Sequence, residues 1–311
     1  ELTFNSNEYL NILLGANSKN LDKLNDILDV EISFFGNKLL VVGKKQNVLL
    51  AEDLINKVYD ILLFNKNNIQ SIDFSIFESE YKMLKNKNSV DTSSKVLNSI
   101  DTWKKTIYPK SDGQNKYIQA VNEYDVIFGL GPAGTGKSYL AVAKAVQSLK
   151  KGHIDKIILS RPAVEAGENL GFLPGDMKDK VDPYLRPIYD ALYEMMPFEI
   201  VEKKIQEGII EIAPVAFMRG RTFKNSFIII DEAQNTSSIQ MKMILTRLGY
   251  GSKMIINGDL TQIDIKYIND SGLSTAKKKL SNLKTIKFIN LNKKDVVRHK
   301  IVSEIISAYE K

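Results

Sequence analysis

Residues 126–138 leave this chain little choice of fold. Val126-Ile127-Phe128 is an apolar strand signal, and Gly131-Pro132-Ala133-Gly134-Thr135-Gly136-Lys137-Ser138 matches G-x-x-x-x-G-K-[ST] in full. Tyr139 then leads into the helical run Leu140-Ala141-Val142-Ala143. Strand, glycine-rich turn and helix in that order form half of a parallel crossover unit. A strand apolar on both faces needs parallel neighbours and helices on either side. Further strand signals fall at 156–160, 209–213, 227–230, 253–257 and 286–291, with helical patterns between them. The expected fold class is therefore α/β, a P-loop NTPase whose parallel sheet is flanked by helices, over residues 113–311.

The same turn predicts chemistry. Its glycines free backbone amides to wrap phosphates, and the helix that follows adds positive potential, so Gly131, Pro132, Ala133, Gly134, Thr135, Gly136, Lys137, Ser138 and Tyr139 form the candidate nucleotide cradle. Lys137 reaches the β- and γ-phosphates and Ser138 binds Mg²⁺. Phe227-Ile228-Ile229-Ile230 is a buried strand ending in the adjacent acids Asp231 and Glu232. Two carboxylates at one strand end are costly unless they share a cation. Asp231 is the candidate metal ligand and Glu232 the base that deprotonates water, which favours ATP hydrolysis over binding alone. Gln114, close to Tyr117 and seventeen residues before Gly131, is placed to read the adenine edge. Gln262, after the strand 253–257 and Gly258-Asp259, is placed to sense the γ-phosphate or water at the carboxyl edge of the sheet. Arg298, Arg219 and Arg221 are candidates for a charge-stabilising finger, or for contacts to RNA phosphate or solvent. An ATP-dependent scaffold and a small-molecule kinase are the competing readings.

Composition narrows the alternatives. There is no cysteine and there are two histidines, His153 and His299, so thiolate metal sites are excluded and a transition-metal enzyme is not expected. No apolar run is long enough to span a bilayer and no secretion signal is visible at the amino end, so a cytoplasmic location is expected. The net charge of +6 is uneven, at −3 over residues 1–60 and +9 over the remainder. A polyanion would meet the second part first.

Residues 1–64 read as a small α+β unit. Leu2-Thr3-Phe4 is a strand, and Asn5 with Glu8 is spaced as a capping box for a helix. Leu21, Leu24, Ile27 and Leu28 line a second helix, strands around Val30–Phe34 and Leu39–Val42 flank a Gly36-Asn37 turn, and a last helix buries Leu54, Ile55, Val58, Tyr59 and Leu62. This order resembles a KH-type RNA-binding module, although its GXXG loop reads Gly15-Ala16-Asn17-Ser18. With the local negative charge, a docking or oligomerisation role is expected ahead of RNA clamping. Residues 65–112, rich in Asn, Lys and Ser, are expected to be linker with some helix. The proline-rich stretch 162–198 offers Tyr184, Tyr189 and Tyr193 either for base stacking or for packing.

Taken together, these phrases resemble the PhoH-like family, bacterial P-loop ATPases related to superfamily 1 helicases. The likeness runs through the P-loop, Arg161-Pro162-Ala163-Val164-Glu165-Ala166-Gly167-Glu168, Leu173-Pro174-Gly175-Asp176, Ala216-Phe217-Met218-Arg219-Gly220-Arg221-Thr222, Asp231-Glu232-Ala233-Gln234-Asn235 and Asp295–His299. The resemblance implies a RecA-like domain preceded by a KH-like extension, and Mg-ATP hydrolysis coupled to RNA unwinding, remodelling or ribosomal RNA maturation. It also implies the endoribonuclease YbeY as a possible partner and a homo-oligomeric ring, with a hexamer favoured. Since 311 residues hold one such lobe where superfamily 1 helicases close two, a neighbouring copy is expected to supply the arginine.

Overall fold

The computed structural model describes residues 1–64, 72, 74–85, 98–162, 177–212, 214–262, 271–297, 301, 302, 305 and 308. Two compact units result, one of Glu1–Ser99 with Tyr108–Ser111 and one of Ile100–Ile107 with Asp112–Lys311.

The first unit runs β1 (Leu2–Thr3), α1 (Asn7–Leu14), α2 (Lys19–Leu28), β2 (Val30–Phe35), β3 (Lys38–Gly43), α3 (Lys45–Phe64) and α4 (Ser75–Lys85). Its antiparallel sheet has the order β1-β3-β2. Period-two alternation sends Val30, Ile32, Leu39 and Val41 into the core, against Leu54, Ile55 and Val58 of α3. The cap of α1 is Ser6, whose Oγ accepts from Tyr9 N at 3.4 Å; the box expected at Asn5 and Glu8 is displaced by one residue. The loop before α2 begins at Gly15, at φ 76°, where a Cβ would lie 2.8 Å from Asn20 Nδ2. It ends at Ser18, in the left-handed region at φ 59°. The fourth loop position thus keeps a glycine-like backbone without a glycine.

Phe74, Ile76 and Phe77 of the α4 region are buried in this same core. At the other end of the stretch expected as linker, β4 (Ile100–Asp101) and β5 (Thr106–Ile107) form a hairpin in the second unit, with Ile100 and Ile107 in its core. Apolar residues too sparse to show a period thus anchor both ends of that stretch.

The second unit continues with α5 (Asp112–Glu123), β6 (Val126–Leu130), α6 (Lys137–Lys150), β7 (Lys156–Ser160), α7 (Met177–Met195), α8 (Phe198–Gln206), β8 (Ile210–Ile212), β9 (Ser226–Ile230), α9 (Ser238–Leu245), β10 (Lys253–Gly258), α10 (Gly272–Leu280) and β11 (Ile286–Asn290). The six strands expected from the sequence all form, one of them over the residues expected, 156–160, and the others with ends shifted by one or two residues. They build one parallel sheet ordered β11-β6-β10-β9-β7-β8. One core lies on each face: Ile127, Ile157, Phe227 and Ile255 look to α6 and α7, while Phe128, Ile158, Ile228 and Ile256 look to α9 and α10. This is the RecA-like α/β arrangement. Tyr189 and Tyr193 pack against the first of these cores with ring centroids 6.3 Å apart, and Tyr193 Oη donates to Glu202 Oε1 at 2.7 Å. Base stacking by these two is therefore not the role their packing serves. The Tyr184 side chain lies outside the described residues. No helix among the described residues is long and apolar enough to cross a membrane.

Candidate active site

Strand β10 lies between β6 and β9, so the carboxyl ends of three adjacent strands present the P-loop, Gly258-Asp259 and Asp231-Glu232 side by side. They line a cleft of about 230 Å³ with Lys137, Ser138, Tyr139 and Gln262.

The loop conformation is one that side chains oppose. Gly131 has φ 148° and a Cβ there would collide with Leu291 O, while Gly136, at φ 82°, would meet Gln114 Nε2 at 3.0 Å. Gln114 is buried and its Nε2 donates to Thr135 O at 3.0 Å. It buttresses the loop from outside the cleft lining; adenine reading, expected from the sequence, is not the task of this bond. Val297 N donates to Gly134 O at 2.9 Å, tying the end of the sheet domain to the loop. Lys137 Nζ donates to Gly131 O at 2.6 Å, Pro132 O at 2.9 Å and Thr135 Oγ1 at 3.3 Å. Burial lowers its ammonium below the ordinary lysine value, against the pull of Asp259, Asp231 and Glu232.

Ser138 Oγ donates to Asp231 Oδ1 at 2.5 Å, a short charge-assisted bond joining the two candidate metal ligands. Burial raises the Asp231 carboxyl, assisted by Glu232 and opposed by the Ser138 bond and by Arg161 and Lys137. Asp259 Oδ1 accepts from Thr261 N and Oγ1, whereas its buried Oδ2 has no hydrogen-bond partner among the described residues. These hard oxygen donors fit Mg²⁺. Among the described residues no group of three or more His, Asp or Glu side chains could cage a metal. Mg²⁺ needs no such cage, since it retains water and takes phosphate oxygens as ligands.

Glu232 adopts left-handed backbone, φ 51° and ψ 40°, a conformation unfavourable for a residue with a Cβ and common at functional sites. Two partners missed in the sequence hold its side chain. Gln234, buried, donates from Nε2 to Glu232 Oε2 at 2.6 Å and accepts from Asp259 N at 3.0 Å, bridging the two strand ends. Arg161, just past β7, donates to Glu232 Oε1 at 3.4 Å and lies 3.9 Å from Asp231 Oδ2. Its position at a strand's carboxyl end was the available signal.

Of the three arginines expected as fingers, Arg219 and Arg221 stand elsewhere. Arg221 pairs through both terminal nitrogens with Glu211 of the edge strand β8 and covers the Phe223 ring at 4.6 Å. Arg219 is exposed. Neither lines the cleft, and β8 is four strand positions from β6, about 19 Å at the usual spacing. Arg298 and His299 lie outside the described residues.

Comparison with known proteins identifies the family. Residues 106–310 match the family model described as PhoH-like protein. A PhoH-like protein of Bacillus subtilis is 45% identical over 96% of this chain and 93% of its own length. One of Mycobacterium tuberculosis is 45% identical over 96% of this chain and 84% of its own. Protein PhoH of Escherichia coli is 40% identical over 65% and 58%. Among solved structures, the Pif1 helicase from Candida albicans shows a TM-score of 0.33 at 16% identity, over 63% of this chain and 42% of its own. The second unit is thus a nucleotide-binding, ATPase-like domain, and the chain belongs to the PhoH-like protein family.

Proposed function

We propose that this protein hydrolyses ATP and couples the cycle to RNA binding and remodelling. The observation that carries the ATPase reading is the 2.5 Å contact between Ser138 and Asp231, with Glu232 beside it in the cleft that Lys137 and Gln262 share. Ser138 and Asp231 would hold Mg²⁺, which when bound neutralises charge on the phosphate oxygens. Lys137 exchanges its bonds to Gly131 O and Pro132 O for the β- and γ-phosphates. Glu232 accepts a proton from water as the water oxygen attacks the γ-phosphorus and the bond to ADP breaks; Gln262 orients that water. RNA as the coupled ligand is supported by the concentration of positive charge after residue 60. A ring of copies, each lending an arginine such as Arg219 to its neighbour's site, would add a cation to the Lys137 that lines the cleft among the described residues.

The test is Glu232→Gln. Removing the base while leaving the metal and phosphate contacts should lower ATP turnover by about 10²–10⁴-fold with ATP affinity retained. Turnover at the original rate overturns the assignment of the base. Absence of ATPase stimulation by any RNA would overturn the coupling.

A further inference from the structure

The second unit also holds a cavity larger than the cleft at the P-loop. It lies at the opposite pole of the sheet, against the amino ends of β6, β9 and β10, and holds about 1040 Å³. Strand β6 separates the two, a length of about 16 Å. Lys144, Lys151, Lys224 and Lys253 line it against a single acid, Asp125.

Helix dipoles do not account for four lysines here. The carboxyl end of α6 contributes about half a negative charge, which Lys151 at its cap already faces. Lys144 is two turns further in and buried, and its Nζ donates to the neutral Gln147 Oε1 at 2.6 Å. Burial, then repulsion from Lys151 and Lys253, brings its ammonium down to about 8. Lys253 is likewise lowered by burial, with partial relief from Asp125, and donates to Tyr124 O. None of the four is in an ion pair among the described residues. Like charges held together in a concave site are costly without an anion to share.

At the same cavity stands Tyr250, 90% exposed on a turn that backbone and serine hydrogen bonds hold. Tyr250 O accepts from Asn225 N at 2.9 Å, Gly249 N donates to Phe223 O at 2.7 Å, and Ser252 Oγ bonds Phe223 O at 2.8 Å and Ser226 N at 2.9 Å. An aromatic ring left in water on a pinned backbone is a preformed stacking platform.

We propose that this cavity is a second nucleotide-unit site, in which the lysines hold phosphate and Tyr250 stacks on the base. The unit comes either from an RNA strand or from a free nucleotide. As a strand contact it deepens the RNA reading above, on which that arm rests; as a free-nucleotide site it stands apart from it, and neither needs ATP turnover.

The full-length chain is tested as Tyr250→Ala and as the double variant Lys151→Ala/Lys224→Ala. All three side chains are exposed, so folding should be retained, as a thermal melt will verify. One probe is a fluorescent oligouridylate of about 12 nucleotides, within the usual strand footprint. The other is ribose-labelled ADP, titrated in a Lys137→Ala background so that the P-loop does not dominate. We expect binding of one probe to weaken about 10-fold in each variant. With the oligonucleotide, the double variant should also lower the salt slope by about 1.4, or 0.7 per lost phosphate contact. Loss with the oligonucleotide identifies a strand, and loss with ADP alone identifies a free nucleotide. Unchanged binding of both probes in both variants overturns the proposal. If the parent chain binds no oligonucleotide, the RNA reading fails separately and the ADP arm decides this one.

Discussion

Gln234 offers the sharpest test of how the cleft is assembled. Its amide bridges the base candidate to the end of β10, donating at 2.6 Å to Glu232 Oε2 and accepting at 3.0 Å from Asp259 N. Gln234→Ala removes both bonds. The Asp259 backbone N–H is left buried and unpaired, at a cost of about 1–3 kcal/mol. The Glu232 carboxylate, about a third exposed, can rehydrate, so its lost bond counts for less. A net destabilisation of about 2–3 kcal/mol corresponds to a fall in melting temperature of roughly 4–12 °C for a unit of this size. Turnover should fall further than stability alone implies. Glu232 keeps only the 3.4 Å contact to Arg161, and loss of orientation in a catalytic group costs up to about 10²-fold. The effect is bounded by that of Glu232→Gln. Gln234→Met separates the two roles, since it conserves volume while deleting both hydrogen bonds. Single-turnover ATP hydrolysis and thermal melting on the same preparations give the comparison. Wild-type turnover in Gln234→Met would refute the claim that this bridge orients Glu232.

Two further substitutions test the energetics on which this account depends. Burial holds the Asp231 carboxyl above its ordinary value, so its protonated form stabilises the folded chain at low pH. That contribution is lost as pH rises from about 4 through the raised value. Asp231→Asn should therefore melt higher than wild type near neutrality, with the difference shrinking toward pH 4, and should lose the extra stabilisation that Mg-ATP gives the wild type; a lower neutral melting temperature would contradict the burial argument. In the first unit, Ser18→Gly relieves a left-handed residue, worth about 1–2 kcal/mol, against about 0.4–1 kcal/mol of added unfolded-state freedom. Denaturant unfolding should show a gain of about 0.5–1 kcal/mol, and destabilisation would mean the serine side chain contributes more than its backbone strain costs.

The sheet was legible because its strands are buried on both faces. Runs such as Phe227-Ile228-Ile229-Ile230 and Met254-Ile255-Ile256 need no partner to be recognised, and their ends slipped by only a residue or two. The P-loop was legible for a related reason: a glycine pattern states the backbone angles that Gly131 and Gly136 adopt. Local chemistry also misleads. Asn5 and Glu8 satisfy a capping pattern, yet the helix is capped one residue later by Ser6. Gln114 has the right chemistry for a base edge, and its Nε2 also donates to Thr135 O, a contact that its position in the sequence did not announce.

What sequence could not disclose depends on strand order. The insertion of β10 between β6 and β9 brings Gln234 against Asp259, twenty-five residues apart, and the pairing of β7 with the other side of β9 lets Arg161 meet Glu232, seventy-one residues away. No spacing rule encodes such pairs. The lysine cavity is the same case at the other pole, because Lys144, Lys224 and Lys253 are unremarkable surface types until the sheet gathers them. A parallel sheet necessarily collects one set of loops at each end. In this chain the carboxyl end concentrates acids around a phosphate loop, while the amino end gathers four lysines and one acid beside an exposed ring. The first charge pattern calls for a metal-bound phosphate and the second for a phosphate alone. The two poles are joined by rigid buried strands of five and six residues.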